Sequence, residues 1–554
     1  SRGPIYRPTS LAIFAIIWEF APNNPKAFHF VNVFLYALTC LLLFLILCRL
    51  FKDQDLLIAF TCALLYSAHP IHTEVVNSIK SMDEILCFLF GLSALWFVLN
   101  YVSTKSKASV ILGSICFFLS LISKETGVTF LLATPMTVFF FADSSLKKTF
   151  LILLGLSALT GIWLVIRMMV FKDLPPNTAT TASILNNTLN AAPDKISRFA
   201  TAFYILLRYI VLLAFPYRLR YDYSYAQINI QTLANPGAWL GIIVVIGALI
   251  YALFNIRKKS VVAYGILFFF ITLAPVSNVF FPVAATMAER FMYIPSFGFC
   301  LILSYFLIRI TNTKNIQSGI KTFFQFVSVN YKPLTLVFAI SVLYVIRTTT
   351  RNGDWQDNLT LFSHDVKITG NSARANQTFG SALMLAGMSS KNKKNQTDTF
   401  NLAKIYLQKA LDIYPDFYSP LSHLGVIYLF ENKIDSAYSY LKKGIEIMPN
   451  DVDLNFNLGL SLFHLKKYDE AISVLAKTIR LAPNHEKAYY NLAALYQNTG
   501  DYDKAISNYL KVLELNPNNP DAYYNYGIVL RSKGDTAGSN QFIQKARSLG
   551  YKTN

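Results

Sequence analysis

Four short polar stretches, each beside a long apolar segment, contain the residues of this sequence that could do chemistry. Ionisable side chains are costly at membrane depth, and those that occur there usually line a functional cavity. Lys and Arg could bind a phosphate, while a carboxylate takes a proton from an attacking hydroxyl. The four stretches are HPIHTEVVNSIKSMDEIL (69–86), SKET (123–126), YRP (6–8) and AERFMYIPS (288–296).

Each stretch also has a plain structural interpretation. His69, His72 and Glu74 could bind a divalent metal, or they could cap a helix and make interfacial hydrogen bonds. Other charged residues could form simple ion pairs in short loops, and three arginines could extend toward lipid headgroups. These are Lys124 with Glu125, Glu289 with Arg290, and the arginines Arg208, Arg218 and Arg220.

Membrane helices must position these residues. The chain is 54% hydrophobic although its later part is polar, so its first part is more apolar still. Several apolar runs approach the roughly 20 residues that cross a bilayer, and they predict ten crossings. The runs lie at about 28–50, 54–69, 83–102, 107–123, 126–142, 149–171, 236–255, 260–283, 293–312 and 332–349.

Positive charge predicts the direction of these crossings, because basic residues mark cytoplasmic loops. The alternation holds only if the apolar stretch 199–216 does not cross, so we interpret it as a re-entrant or surface-lying helix, with a true crossing as the alternative. All four polar stretches and everything after residue 350 then lie outside the cytoplasm, which favours one shared site. The marking residues are Arg49 and Lys52, Lys105 and Lys107, Lys147 and Lys148, Arg257 to Lys259, and Lys314 and Lys321.

From about residue 372 the sequence repeats every 34 residues and resembles the tetratricopeptide repeat. Small side chains let the two helices of each unit approach closely, and a proline closes the second helix. The first unit contains a polar insertion, GMSSKNKKNQTDT (387–399), which predicts a loop. The repeating positions are Pro415, Pro449, Pro483 and Pro517, and Gly425, Gly459, Ala493 and Gly527.

Asparagines recur in the same period, at Asn457, Asn491 and Asn525. Such a series of amides could hydrogen-bond both the N–H and the C=O groups of an extended acceptor peptide without requiring a particular side-chain sequence. The alternative is that each amide satisfies polar groups between helices.

Composition excludes several other classes of protein. The formal charge of +19 accompanies no nucleic-acid-binding motif, and much of the excess lies in the cytoplasmic loops, so we expect no nucleic-acid partner. The six cysteines all fall in apolar runs, which is typical of membrane packing rather than of a disulfide framework or a metal site.

An ordered set of motifs covers essentially the whole chain and resembles a known family. The set is YRPTS, HFVNVFLYAL, HPIHTEVV with MDEIL, SKETG, FPYRLRYDYS, APVSN, AERFMYIPSFGFC and RNGDWQDNLTLF, followed by the repeats. With this domain layout, the chain resembles the transmembrane O-mannosyltransferases with tetratricopeptide repeats, the family that targets cadherins, and bacterial membrane proteins of similar layout.

The resemblance implies a class C glycosyltransferase fold and an inverting transfer of mannose from dolichyl or another polyprenyl phosphate to Ser or Thr hydroxyls of a protein. Carried over residue by residue, it implies Arg7, Lys124 and Arg290 for the donor phosphate. It implies catalytic or pocket-organising roles for Glu74, Asp83 and Glu289, with a pocket completed by His69, His72, Glu125 and Tyr293. A divalent metal is possible in such a site, and no cofactor is certain.

The family normally carries a first membrane helix and an outer loop with an acidic catalytic motif, and both should precede YRPTS. Only Ser1 to Ile5 precede Tyr6 here. We therefore expect the main catalytic Asp or Glu to lie upstream of residue 1 in a longer chain. The alternative is that the molecule lacks the usual base, and Asp83 or Glu84 would then take that role.

The sequence thus predicts a mostly α-helical protein, with a polytopic membrane domain at 1–350, a junction at 351–371 and a repeat domain at 372–554. The predicted function is a membrane glycosyltransferase whose repeats recruit a protein acceptor, and the alternative is a non-catalytic membrane scaffold for protein assembly. The expected location is a bacterial inner membrane with periplasmic repeats, or an endoplasmic-reticulum membrane with luminal repeats.

Overall fold

The protein is almost entirely helical. In the part of the chain that the structure describes there are α-helices, short 3-10 helices and no β-strand, which confirms the predicted mostly-α fold. Two compact units divide the chain, Ser1–Ser372 and Ala373–Asn554. Lys52, Lys314 and Lys321, which helped to orient the predicted crossings, lie outside the described residues. The computed structural model describes residues 6–51, 56–142, 144–172, 184–311 and 322–552.

Within these ranges the first unit contains fifteen α-helices. They are α1 (Pro8–Phe20), α2 (Pro25–Leu50), α3 (Leu56–Ala68), α4 (Thr73–Asn77), α5 (Met82–Thr104), α6 (Lys107–Ser123), α7 (Phe130–Phe141), α8 (Leu146–Phe171), α9 (Lys195–Ala214), α10 (Pro236–Asn255), α11 (Val261–Leu273), α12 (Ser296–Ile310), α13 (Phe323–Val329), α14 (Tyr331–Asp354) and α15 (Asn358–Ile368).

Fewer of these helices than predicted are long and apolar enough to cross a membrane. Six of the described helices qualify by length and composition, or seven if the bent pair at α3 counts as one span, against ten predicted crossings. The predicted crossings at α6, α7, α11 and α12 form shorter apolar helices. Each of these four helices places residues in a shared hydrophobic core with its neighbours. The six long helices are α2, Ile79–Thr104 (which includes α5), α8, α9, α10 and α14.

Helix α9 changes the interpretation of the stretch 199–216. It is a continuous helix of 20 residues that qualifies as a possible span, so it fits the alternative of a true crossing as well as a surface-lying helix. Its start is explained locally, because Asp194 accepts a hydrogen bond of 2.7 Å from the Ser197 N–H and caps the helix.

The chain bends by 47° between α3 and the helical segment Pro70–Asn77. Pro70 has no N–H to continue the helix, and the His69 ring accepts a hydrogen bond of 3.1 Å from the Ile71 N–H. This bend carries the first polar stretch away from the apolar core and toward the other polar stretches.

Helices α11 and α12 approach each other through two glycines. A Cβ on Gly298 would lie 2.4 Å from the carbonyl oxygen of Gly265, so neither backbone leaves room for a side chain at this point. Their close contact fixes the position of Glu289 and Arg290, which lie just before α12.

The second unit consists of five antiparallel helix pairs within the described residues. At the predicted small positions the packing is tight: a Cβ on Gly459 would lie 2.8 Å from the Leu475 side chain. The predicted close approach of the two helices is therefore confirmed. The pairs are α16 (Ala373–Ser389) with α17 (Lys393–Ile413), α18 (Tyr418–Phe430) with α19 (Ile434–Ile447), α20 (Val452–His464) with α21 (Tyr468–Leu481), α22 (Glu486–Asn498) with α23 (Tyr502–Leu515), and α24 (Pro520–Ser532) with α25 (Thr536–Ser548).

The predicted loop at 387–399 is mostly wrong. Helix α17 begins at Lys393, so the second half of this polar stretch extends the helix by nearly two turns. Asn392 caps it by accepting hydrogen bonds from the N–H groups of Lys394 and Asn395. Polar composition misled the prediction, because an exposed helix can be polar when a cap starts it.

Candidate active site

Arg7 joins two of the predicted polar stretches at the start of α1. Its guanidinium forms an ion pair with Asp83, and its Nη2 lies 2.8 Å from Glu125 Oε2. Its Nε donates a second hydrogen bond, of 3.2 Å, to the same Glu125 oxygen. The planar guanidinium can contact two carboxylates at once, which a lysine cannot do with equal geometry. Arg7 thereby ties the N-terminal segment to the ends of α5 and α6.

Lys124 lies at the break between α6 and the 3-10 turn Glu125–Thr129. It is buried, pairs with Glu84, and lies 3.8 Å from Asp83 Oδ1. Asp83 and Glu84 occupy the first turn of α5, where carboxylates interact favourably with the helix dipole. Lys124 therefore neutralises two buried carboxylates on a neighbouring helix.

Glu74 and Arg290 connect the first polar stretch to the last. Glu74 Oε1 accepts from Arg290 Nη1 at 2.5 Å, and Glu74 Oε2 accepts from the Arg290 backbone N–H at 2.9 Å. Arg290 also interacts electrostatically with Glu84. The four predicted stretches are thus brought together in one ionic cluster.

We define the ionic cluster by its eight charged residues, all from the first unit. Four positive and four negative side chains balance one another, so each cation predicted for the donor phosphate already has a carboxylate partner. A phosphate arriving here would compete with these carboxylates for the cations and would free one of them. The cluster consists of Arg7, Lys124, Arg167 and Arg290 with Glu74, Asp83, Glu84 and Glu125.

Glu289 is next to the cluster residue Arg290 in the chain, and it forms no ion pair with any described residue. It is 1% exposed, accepts from the Tyr223 hydroxyl at 2.8 Å, and accepts from the Arg220 backbone N–H. Burial raises the pKa of Glu289 to about 8, although both hydrogen bonds favour the ionised form. Glu289 is therefore largely protonated at neutral pH, and its geometry suits positioning Tyr223 and Arg220 better than accepting a proton from substrate.

His69 and His72 are both fully hydrogen-bonded inside the protein. The His69 ring contacts the Leu213 carbonyl at 3.0 Å through Nε2, besides its contact with the Ile71 N–H. The His72 ring contacts the Tyr36 hydroxyl and the Ser296 hydroxyl, each at 2.9 Å. This geometry matches the helix-capping and hydrogen-bonding interpretation of the two histidines.

Within the described ranges, no group of three or more His, Cys, Asp or Glu side chains is placed to hold a metal ion.

Tyr293, the fourth predicted pocket residue, is buried with its ring 5.2 Å from that of His72, and its hydroxyl has no hydrogen-bond partner among the described residues. The structure thus places Tyr293 against His72.

Sequence reasoning missed several charged residues near the site. Arg167 lies in the apolar run of α8 and reaches Glu125 at 3.7 Å, so its position at membrane depth was a signal that could have identified it. Arg351 at the end of α14 is fully buried, and its guanidinium contacts both Asp365 oxygens, at 2.6 and 3.0 Å. No local pattern indicates this pair, because Asp365 lies on the next helix.

The predicted asparagine series lies on the first helices of three repeats, and all three residues are half-buried. Asn525 donates to the Tyr490 hydroxyl at 2.6 Å, and Asn491 donates to the Lys487 carbonyl of its own helix at 2.8 Å. The Asn457 amide makes no hydrogen bond to any residue in the described part of the chain. Peptide binding by this series stays a prediction.

Comparison with known proteins matches both halves of the chain. Three profiles of the tetratricopeptide repeat family match residues 429–496, 486–519 and 508–539. The protein O-mannosyl-transferase TMTC3 of Homo sapiens is 26% identical over 473 residues, covering 78% of this chain and 47% of that protein. A protein O-mannosyl-transferase of Caenorhabditis elegans is 26% identical over 410 residues, covering 73% of this chain and 54% of that protein.

The chain is similar to proteins named O-mannosyl-transferases, the TMTC proteins among them. It spans about half the length of the curated relatives that it matches. Among solved structures, the crystal structure of MamA is 27% identical, with 28% of this chain and 92% of that chain covered and a TM-score of 0.27. The apolar helices and this relationship together identify a multi-pass membrane protein with tetratricopeptide repeats.

Proposed function

We propose that this protein is a membrane glycosyltransferase that moves a sugar, with mannose the first candidate, from a polyprenyl-phosphate donor to Ser or Thr hydroxyls of a protein acceptor held by the repeats. The observation that carries the proposal is the ionic cluster, which gathers four carboxylates and four cations from the four polar stretches and from α8. The similarity to proteins named O-mannosyl-transferases supports the same reaction class.

The cluster has the groups that such a transfer requires. In an inverting transfer the acceptor oxygen attacks C1 of the sugar as the bond between C1 and the phosphate oxygen breaks. The electron pair leaves with the phosphate, and the hydroxyl proton passes to a carboxylate. Cationic side chains stabilise the charge that develops on the departing phosphate.

Asp83 is the carboxylate of this chain that we assign to the proton. It lies between Arg7 and Lys124, so a phosphate that engages these cations would release Asp83 from both. Glu74 is held by the backbone and side chain of Arg290 and suits a role in positioning that arginine.

The decisive experiment measures transfer of labelled mannose from polyprenyl-phosphate mannose to Ser- and Thr-containing peptides in membranes that carry the full-length protein. General-base catalysis contributes about 10²–10⁴-fold, so Asp83→Asn should lower transfer at least a hundredfold. Glu19→Gln is the matched control, because Glu19 is an exposed carboxylate on α1. Absence of transfer from any polyprenyl-phosphate sugar to any hydroxyl acceptor would reject the enzymatic proposal.

The alternative is a membrane scaffold that uses the repeats for assembly without catalysis. It predicts that Lys124→Met and Arg290→Gln leave function intact, whereas changes at Asn457 abolish it. Transfer of labelled sugar and capture of the protein acceptor are measured in the same membranes, which carry Lys124→Met or Arg290→Gln. An enzyme loses transfer in these variants while it retains capture, whereas a scaffold has no transfer to lose.

A further inference from the structure

A polar cavity of about 170 Å³ lies between α9 and the loop that follows it. This volume equals roughly that of five or six water molecules in the liquid, so the cavity can hold a phosphate group and part of an adjoining ring. None of its lining residues belongs to the ionic cluster. The lining residues that matter here are Tyr204, Arg208, Arg220, Tyr223 and Gln227.

Arg220 is buried in the wall of this cavity and forms no ion pair with any residue in the described part of the chain. It is 8% exposed, and its Nε makes no hydrogen bond. Its contact with Glu289 uses the backbone N–H and not the guanidinium. No carboxylate in the described ranges forms an ion pair with Arg220 or Arg208, in contrast to the arginines of the ionic cluster. A buried N–H group without an acceptor is costly, and an anion in the cavity would satisfy the Nε of Arg220.

The neighbouring charges also favour an anion in the cavity. Burial lowers the pKa of the Arg220 guanidinium, and the positive charges of Arg208 and Arg218 lower it further, against the opposite effects of Tyr223 and Glu289. Arg208 and Arg220 therefore repel each other in the lining of the cavity. A doubly charged group such as phosphate would reverse this repulsion, because each arginine then interacts with negative charge.

Gln227 needs a hydrogen-bond donor, whereas Arg220 needs an acceptor. Its side-chain carbonyl oxygen is buried at the cavity and has no hydrogen-bond partner. A bare phosphate offers no donor to this oxygen, whereas a sugar hydroxyl does. The cavity thus presents an unused donor for an anion and an unused acceptor for a hydroxyl.

Tyr204 and Tyr223 also line the cavity. The Tyr223 hydroxyl is held by Glu289 at 2.8 Å, which fixes the orientation of that ring. Aromatic walls with a few convergent polar groups are typical of small-molecule sites.

We propose that this cavity binds a phosphorylated sugar headgroup, with the phosphate on Arg220 and Arg208 and a sugar hydroxyl on Gln227. The proposed function places the phosphate of the reacting donor on Arg7 and Lys124, so the headgroup in this cavity is a second one. Its identification as a further donor molecule rests on the proposed function, whereas the binding itself does not. The Glu289–Arg290 dipeptide connects the cavity to the ionic cluster, since Glu289 holds the Arg220 backbone and Arg290 holds Glu74.

A membrane lipid is the source of the headgroup that the surroundings favour. Phe215 and Tyr217 lie between Arg208 and Arg220 in the chain and are 75% and 76% exposed. Exposed aromatic residues next to a possible span are typical of the bilayer interface, where a lipid-linked phosphate would lie.

The first experiment measures binding of mannose 1-phosphate, inorganic phosphate and mannose to the purified full chain in detergent, by the shift in thermal unfolding. We expect the affinity to decrease in that order. Arg220→Gln should weaken both phosphate-containing ligands by roughly tenfold or more, since it removes charge-assisted hydrogen bonds. Gln227→Leu should weaken mannose 1-phosphate and leave inorganic phosphate unchanged.

Arg218→Gln is the matched control, because this arginine is exposed, lies two residues from Arg220 and does not line the cavity. Arg208→Gln, on the surface of α9, gives a second test if Arg220→Gln does not fold. The proposal is overturned if Arg220→Gln or Arg208→Gln binds mannose 1-phosphate as tightly as the unaltered chain does. It is also overturned if Arg218→Gln loses as much affinity as Arg220→Gln.

A second experiment separates the source of the headgroup from the enzymatic proposal. The protein in nanodiscs with and without polyprenyl-phosphate mannose is titrated with labelled mannose 1-phosphate. Competition by the lipid-linked sugar identifies a lipid source, and absence of competition identifies a soluble sugar phosphate. If binding depends on Arg220 while no sugar is transferred, the cavity proposal stands and the proposed function fails. If Arg220→Gln loses binding while transfer is unchanged, the bound headgroup is not a donor molecule.

Discussion

The hydroxyl of Tyr223 donates a hydrogen bond of 2.8 Å to the carboxyl of Glu289, and both residues are buried. The same Glu289 oxygen accepts the backbone N–H of Arg220. One carboxyl group thus holds an aromatic and a basic residue in the wall of the cavity, and its neighbour Arg290 belongs to the ionic cluster. This relationship makes the protonation of Glu289 a property that experiments can follow.

Stability should depend on pH through Glu289. The pKa of Glu289 is about 8 in the folded protein against 4.5 for an unperturbed glutamate, so the folded chain holds a proton that the unfolded chain has lost between these values. Folding stability therefore decreases as pH rises through this window, by at most about 1.4 kcal/mol for each pH unit. Thermal unfolding of the purified protein from pH 5 to 9 measures the slope. Glu289→Gln should flatten it, and an identical slope in that variant would show that other groups titrate instead.

The Glu74–Arg290 pair should stabilise the membrane unit. Glu74→Gln leaves Arg290 without its charge partner, and we expect a loss of about 2 kcal/mol, since Arg290 is partly solvated and can recover some hydration. The midpoint of thermal unfolding in detergent measures this loss. Glu19→Gln removes an exposed carboxylate and should leave the midpoint unchanged. Equal midpoints for the two variants would contradict a stabilising role for the pair.

The contact between α11 and α12 should not tolerate a single methyl group. In Gly298→Ala the new Cβ would lie 2.4 Å from the Gly265 carbonyl oxygen, a backbone atom that cannot rotate away. The helices must separate, at a cost of about 1–3 kcal/mol that lowers the unfolding temperature. Gly155→Ala on α8 is the matched control, since nothing lies within 4 Å of its Cβ. It should be neutral or slightly stabilising, because alanine favours helix more than glycine does.

Asn457 should contribute more to acceptor binding than to folding. Its amide is not used within the described structure, so Asn457→Ala should weaken binding of an extended Ser- and Thr-containing peptide by roughly threefold to tenfold without changing the unfolding temperature. Fluorescence anisotropy with the full chain measures the affinity. Asn508→Ala on α23 is the control, because Asn508 donates to the Lys504 carbonyl of its own helix. A loss of affinity in Asn508→Ala alone would place the acceptor on the other helices.

Local sequence determined the elements of this protein. Long apolar runs form helices in lipid because their backbone hydrogen bonds close within each segment, and the 34-residue period determines the paired helices of the second unit. The capping residues, such as Asp194 and Asn392, act within four residues of themselves. For the same reason the residues of the four polar stretches could be selected from sequence before their contacts were known.

Only the tertiary structure decided which of those residues meet. Arg7 pairs with Asp83 across 76 positions and with Glu125 across 118, and such pairings depend on how the helices pack. That Arg220 forms no ion pair with any described residue is equally invisible in sequence, where it resembled a lipid-facing arginine. Whether a buried charge is neutralised or left for a ligand depends on the three-dimensional placement of every neighbouring carboxylate, because electrostatic interaction follows distance in space and not separation along the chain.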